Sequence, residues 1–193
     1  MSVKELYQGC RTYRRFKQTP IAHDLLVDFI DCARISSSAG NKQPLYYVVV
    51  EAKDAVQSFQ PFVKWAALLP KELGTPKEDE QPVAFIVIVK RKDAIPFADI
   101  DVGIAAHAIA VRAYEEGIGT CMMGAIDIPK IRDFCKIPEE DTIRLVLALG
   151  YPDHTSTIVE AKNNNLNYYL DDERQYYVPK RSLDDVLFIN QVD

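Results

Sequence analysis

The stretch "ADIDVGIAAHAIAVRAYEEG", residues 98–117, decides the fold. At helical spacing, Ile100, Ile104, His107 and Val111 form one stripe, and Val102, Ala106, Ile109 and Ala113 form another. A helix that is apolar on more than one face is buried on more than one side. Its alanines and Gly103 let a second helix come close. In a chain of this size, the second stripe suits another subunit. Gly117 and Gly119 end the helix.

The segments on either side read as strands and helices in loose alternation. "LYYVVVEA", 45–52, is β-branched and aromatic, which predicts a strand. "VAFIVIV", 83–89, is a continuous apolar run and predicts a strand covered on both faces. "GTCMMGAI", 119–126, and "IRLVLALGYP", 143–152, read as two more strands, with a short helix at 129–135 between them. Upstream, Leu25, Leu26, Phe29, Ile30 and Ala33 line one face of a helix over 23–35. Residues 2–9 and 54–68 also read as helical, and the proline-rich, charged 69–82 as an exposed connection. No GxGxxG follows a strand and no GxxxxGK[ST] occurs, which excludes a standard dinucleotide fold and a P-loop. The order predicts an α+β domain. After Pro152 the sequence turns polar, with Tyr168/Tyr169 and Tyr176/Tyr177 pairs, and reads as an extended arm. Ser182 and Asp185 fit a capping box opening a last helix in "SLDDVLFI".

The 193 residues suit one domain and carry a net charge of −5, with pI near 5.3. That balance argues against nucleic acid or an anionic membrane as partner. No run approaches the roughly 20 apolar residues of a membrane span. The N-terminus has no apolar signal core, so the expected location is cytoplasmic. Cys10, Cys32, Cys121 and Cys135 form no CxxC pair and are expected reduced. The histidines lack metal-ligand spacing, so no metal site is expected.

Four segments could carry chemistry. Arg11, Thr12, Arg14 and Arg15 could hold a phosphate, or form a solvated basic loop. In "ARISSSAGNKQP", 33–44, the Ser, Asn and Gln side chains could pair with the edges of a planar heterocycle. The same residues equally serve as a helix stop and turn. Lys180 and Arg181 precede the predicted last helix, where an anion is favoured, or simply form a charged cap. "GIGTCMMGA", 117–125, has small residues that let backbone approach a flat ligand, or is a buried strand. Cys121 has no histidine or acidic neighbour in sequence to make it a nucleophile.

In order and spacing, "CRTYRRF", "ARISSSAGNKQPLYYVVV", "DVGIAAHAIAVRAYEEGIGTCMMGA", "LALGYP" and "PKRSLDDV" resemble the FMN-dependent nitroreductase family over residues 5–153 and 179–190. The resemblance implies a three-layer α+β sandwich around a mixed, mostly antiparallel sheet, in an intertwined homodimer. Residues 1–153 would form the FMN-binding domain. Residues 154–193 would be an arm and helix embracing the partner subunit.

By the same resemblance, Arg11, Thr12 and Arg14 match phosphate and ring-edge positions. Ser36, Ser38, Asn41 and Gln43 would meet FMN from the other subunit, Met123 and Gly124 would lie beside its face, and Lys180 and Arg181 would bind its phosphate. The implied activity passes electrons from NADH or NADPH through FMN to an electron-poor small molecule, such as a nitroaromatic or quinone, in a ping-pong cycle. A specialised dehalogenase-like or flavin-destroying enzyme, a flavin-binding or redox-sensing dimer without turnover, and a dimer without cofactor are the alternatives. Three departures stand out: Cys10 for the family's first arginine, Ser37 for a frequent proline, and Leu45 for a frequent tryptophan.

Overall fold

The computed structural model describes residues 2–66 and 68–190. Met1 and the last three residues of the expected 154–193 arm lie outside them, as does Ala67 of the helix expected over 54–68. The elements run in this order: α1 (Val3–Gly9), β1 (Phe16–Lys17), α2 (His23–Ile35), β2 (Leu45–Val50), α3 (Lys53–Phe59), α4 (Lys71–Gly74), β3 (Ala84–Lys90), α5 (Ala98–Glu115), β4 (Gly119–Met123), α6 (Ile128–Cys135), β5 (Thr142–Pro152), β6 (Ser156–Glu160), β7 (Tyr169–Leu170) and β8 (Tyr176–Lys180).

The main sheet runs β1-β5-β3-β2, with β4 also paired to β5, and every pairing between these strands is antiparallel. Thr12 and Thr120 add an isolated parallel bridge. In the smaller arm sheet, β6-β8-β7, the β6·β8 pair is parallel. β3 is central, as its unbroken apolar run requires, with Ala84–Val89 fully buried. One face packs Ile86, Ile88 and Leu147 against α2 and α5. The other packs Phe85, Val87 and Val146 with Val56, Phe59 and Ile131 of α3 and α6. The α+β three-layer sandwich is therefore the observed architecture.

α5 settles what its two stripes do. Val102, Ala105, Ala106, Ile109, Ala110 and Ala113 are buried within the chain. Ile100, Gly103 and Ile104 face outward, with His107 and Val111 half covered. α2 lies along α5 and is tied to it by Asp28 and Arg112, 2.8 Å apart. Two glycines bring the basic segment onto the sheet. A Cβ at Gly119 would stand 2.7 Å from the Tyr13 ring, and one at Gly150 2.7 Å from Phe16 Cβ.

Two expectations need correction. The helix expected over 54–68 ends at Phe59 and passes into a 3₁₀ turn at Gln60–Phe62, where Pro61 removes an amide donor. The 69–82 connection is mostly exposed, as expected, and carries the single turn α4 and a 3₁₀ turn at Glu78–Glu80. The last helix does not form. The Ser182/Asp185 capping box is made, with both bonds at 3.2 Å, but only the turn around 183–187 follows it. Leu183, Val186, Leu187, Phe188 and Ile189 are all exposed, Phe188 at 87%. A short helix without a surface for its apolar face does not recover its ordering cost.

Candidate functional site

The predicted site residues fall into two groups at opposite ends of α5. At its start is the Ser36–Gln43 loop. The Asp101 carboxylate, 3% exposed, accepts from Ser38 Oγ at 2.9 Å and from the Ala39 amide at 3.0 Å. Ser38 Oγ in turn accepts from the Gln43 amide at 3.0 Å. Ser36 Oγ donates to Cys32 O at 2.8 Å and closes the end of α2. Both serines therefore shape the loop. Gly40, Asn41 and Gln43 all have positive φ, 58°, 53° and 48°. Asn41 and Gln43 stand out into solvent and bond each other at 3.1 Å, leaving further donors and acceptors on both amides. A cavity of about 130 Å³ lies under the loop, between Ser36–Ser38, Gln43, Tyr47 and Asp101.

At the other end of α5, Tyr13 stacks on Tyr114 with ring centroids 6.3 Å apart. The Tyr13 amide donates to Thr120 O at 2.9 Å, and Thr12 bridges Thr120. These contacts fix the Arg11–Arg14 segment beside β4. Arg11 Nη2 donates to Tyr7 O at 2.7 Å, while its Nε is buried with no partner among the described residues. The Arg14 guanidinium lies over the Tyr168 ring at 4.4 Å and the Tyr176 ring at 5.1 Å. Met123 points into the core, so it can offer only backbone to a ligand, whereas Gly124 is open, with nothing within 4 Å of the position a Cβ would take. Cys121 is buried and its thiol is pushed up to about 11, which removes it as a nucleophile.

Lys180 ends β8 and Arg181 follows it, and both are exposed. Arg181 Nη1 donates to Asn164 Oδ1 at 3.2 Å. β8 pairs with β6, and β6 lies against α1, so the arm runs along the same side as Arg11. No contact between these two cations and Arg11, Thr12 or Arg14 is formed among the described residues.

Sequence reasoning missed Asp101, although a carboxylate followed directly by the apolar run of the helix was the available signal. It also missed His154. This ring is 8% exposed, accepts from the Arg14 amide through Nε2 at 2.9 Å and donates through Nδ1 to Thr155 O at 2.7 Å. Those partners fix the neutral tautomer. Burial, with Arg15, Arg14 and Arg174 nearby, pulls its pKa from 6.5 down to about 4, against the Thr155 bond. A third missed group is the clasp at Glu80. Arg174 forks onto its carboxylate at 2.7 and 3.1 Å, and Arg15 Nε lies 3.8 Å away. Arg15 Nη2 also donates to Arg174 O at 2.8 Å.

The architecture is that of an α+β three-layer sandwich with the candidate residues gathered at the two ends of α5. The sequence model of the Nitroreductase family matches residues 8–151, and the chain belongs to that family. A Methanothermobacter thermautotrophicus protein called "Putative NADH dehydrogenase/NAD(P)H nitroreductase" is 25% identical over 158 residues, 79% of this chain and 78% of the relative. A nitroreductase family protein from Clostridium novyi NT superposes with a TM-score of 0.66 at 26% identity, covering 79% of this chain and 87% of that one. An FMN-dependent nitroreductase from Clostridium difficile R20291 does so at 0.63 and 18% identity, covering 82% and 91%, which is a likeness of fold.

Two outcomes test the site. Asp101→Ala leaves the Ser38 hydroxyl and Ala39 amide without their acceptor and should cost about 2–3 kcal/mol in urea unfolding, with Asp101→Asn recovering part of it. For His154 the folded pKa is the lower one, so between pH 6.5 and about 4 the unfolded chain binds the extra proton. Stability should fall by up to about 3 kcal/mol as pH drops through that window and change no further from this group below it. His154→Gln should flatten that slope in urea titrations at pH 7, 5.5 and 4.

Proposed function

We propose that this chain is an FMN-dependent NAD(P)H oxidoreductase acting on an electron-poor small molecule, such as a nitroaromatic or quinone, as a homodimer. One observation carries the reading: the two halves of the candidate site sit at opposite ends of α5, on either side of an apolar stripe exposed at Ile100, Gly103 and Ile104 and partly covered at His107 by Tyr7 of α1. From Asp101 to Tyr114 is 13 residues, or roughly 20 Å of helix. One chain therefore does not bring its Asn41 loop to its own Arg11 segment. A second copy packed antiparallel on Ile100, Gly103, Ile104 and Val111, centred near His107, would set Asp101 of one copy opposite Tyr114 of the other. The loop of each would then face the basic segment of its partner. Gly103 leaves that crossing free of side-chain bulk.

The residues present fit FMN. The buried, unpartnered Arg11 Nε is a donor awaiting an anion. Lys180 and Arg181 add two exposed cations on the arm that follows the same side of the chain. Asn41 and Gln43 would pair their amides with the polar edge of the ring, and the open backbone at Gly124 would admit its flat face. Bound FMN would supply the redox chemistry, taking a hydride equivalent from NADH or NADPH and passing electrons to the acceptor in a separate half-reaction. This chain's own part is to hold, orient and exclude. Donors near the ring's polar edge would stabilise negative charge developing there. Thr12, on its bridge to Thr120, keeps the backbone of the basic segment beside β4. No side chain is assigned as a dedicated acid or base. The exposed stripe of α5 and the exposed apolar 183–189 segment support the dimer, the latter as the arm that would lie on a partner.

The purified protein should be yellow and release FMN on denaturation. Anaerobic NADH or NADPH should bleach it, and a nitroaromatic or quinone should restore the colour. A colourless protein that takes up no FMN overturns the reading, and flavin that stays oxidised marks a binder without turnover. Lys180→Ala with Arg181→Ala should weaken FMN retention at least about tenfold, as the loss of two charged phosphate contacts requires. Ile104→Arg should convert the dimer to monomer in dilute gel filtration, because it places two guanidinium groups in an apolar contact worth about 3 kcal/mol.

A further inference from the structure

His154 stands where two strands part. The β1·β5 ladder pairs Lys17 with Tyr151 and Phe16 with Pro152, and beyond it the Asp153 amide donates to Arg15 O at 3.0 Å. The next step of that register sets Arg14 opposite His154. There the chain bends away toward β6, and backbone pairing stops. The imidazole takes over, because its Nε2 accepts from the Arg14 amide at 2.9 Å. A backbone N–H only donates, so Nε2 carries the lone pair and the proton sits on Nδ1, which bonds Thr155 O at 2.7 Å.

The ring also joins two stretches of chain through its aromatic neighbours. Its centroid lies 5.3 Å from that of Tyr13 in the basic segment and 4.6 Å from that of Tyr176 in β8. Both tyrosines are buried. Tyr176 opens the strand that ends at Lys180, and the Arg14 guanidinium lies over the same Tyr176 ring. His154 is therefore the joint between the stretch bearing Arg11, Thr12 and Arg14 and the strand leading to Lys180 and Arg181. Groups that grip one ligand from two segments have to be held to within about 0.5 Å. An Arg14 amide deprived of its acceptor has to find another partner, and that moves the segment.

We propose that His154 is a positioning residue for cofactor binding: it sets the spacing of the two cation groups and, through it, the affinity for the flavin's phosphate. The proposal rests on the flavin reading above. His154 acts through Arg14 and Tyr176, not on the flavin itself.

Flavin binding by the full-length apoprotein is measured by ultrafiltration, with FMN and with riboflavin, which has the same ring system and no phosphate. Two substitutions separate the two ring nitrogens. His154→Asn puts an amide at the place of Nδ1, keeping the Thr155 bond and losing the acceptor for Arg14. His154→Gln reaches the place of Nε2 and offers its Oε1 to that amide. In His154→Asn, FMN affinity should fall at least about tenfold while riboflavin affinity stays within about twofold. His154→Gln should hold FMN within about threefold of the wild type. Unchanged FMN affinity in a folded His154→Asn, equal loss of FMN and riboflavin, or a His154→Gln as weak as His154→Asn would each overturn the proposal. Should His154→Asn give no cooperative melt, hydrogen exchange at the wild-type Arg14 amide decides: FMN should slow it and riboflavin should not, and equal exchange with both overturns the proposal. A wild type that takes up no FMN overturns the flavin reading and this proposal with it. FMN bound equally well by wild type and His154→Asn overturns the positioning role alone.

Discussion

A buried carboxylate on α5 sets the geometry from which the candidate site is built. Asp101 is tolerated inside the protein because two donors meet it, Ser38 Oγ and the Ala39 amide. In return it pins a loop whose next residues adopt left-handed backbone angles at Gly40, Asn41 and Gln43. That conformation turns the Asn41 and Gln43 amides outward rather than into the end of α2. The same helix, thirteen residues on, presents Tyr114 to Tyr13 and fixes the basic segment. α5 is thus a spacer with one part of the candidate site at each end, and its partly exposed stripe lies between them.

The sandwich was legible in the sequence because it rests on local period. The unbroken run of β3, the alternation and branching of β2 and the stripes of α2 and α5 each name their element without knowledge of the rest. The family motifs placed the loop and the basic segment for the same reason, as both are contiguous. What was not legible depends on partners far apart in the chain. His154 meets Arg14 across 140 positions, Arg174 meets Glu80 across 94, and Asp101 meets Ser38 across 63. No local pattern announces such pairs. The last helix failed for the opposite reason. Its cap was read correctly, but a cap stabilises only a helix that has something to pack on, and the exposed residues 183–189 have nothing in the single chain.

The clasp at Glu80 explains why the charged 69–82 connection is not a free loop. Its carboxylate is half-buried, which alone would raise its pKa, yet the Arg174 fork, the Lys77 amide and Arg15 hold it below the ordinary carboxylate value. The result ties three stretches of chain together: the basic segment through Arg15, the connection through Glu80 and the arm through Arg174. Arm and connection are therefore positioned by one charge cluster, and a change in either is felt next to Arg14.

That coupling bears on how an anion could be held with Cys10 in place of the family's first arginine. Cys10 is buried, and burial pushes its thiol up, so it contributes a neutral side chain and no charge. Arg14 does not stand free to replace the lost cation, because its guanidinium lies over Tyr168 and Tyr176 and its amide is held by His154. Of the first motif, Arg11 Nε and Arg15 Nη1 are buried donors without a partner among the described residues, and Arg15 is already committed to the clasp at Glu80 and Arg174. Further positive charge is available on the arm, where Lys180 ends β8 and Arg181 follows it, both exposed. The tyrosines that occupy Arg14 are themselves residues of the arm. The contact that withdraws one cation from the basic segment is thus also what lays the strand leading to two others along it.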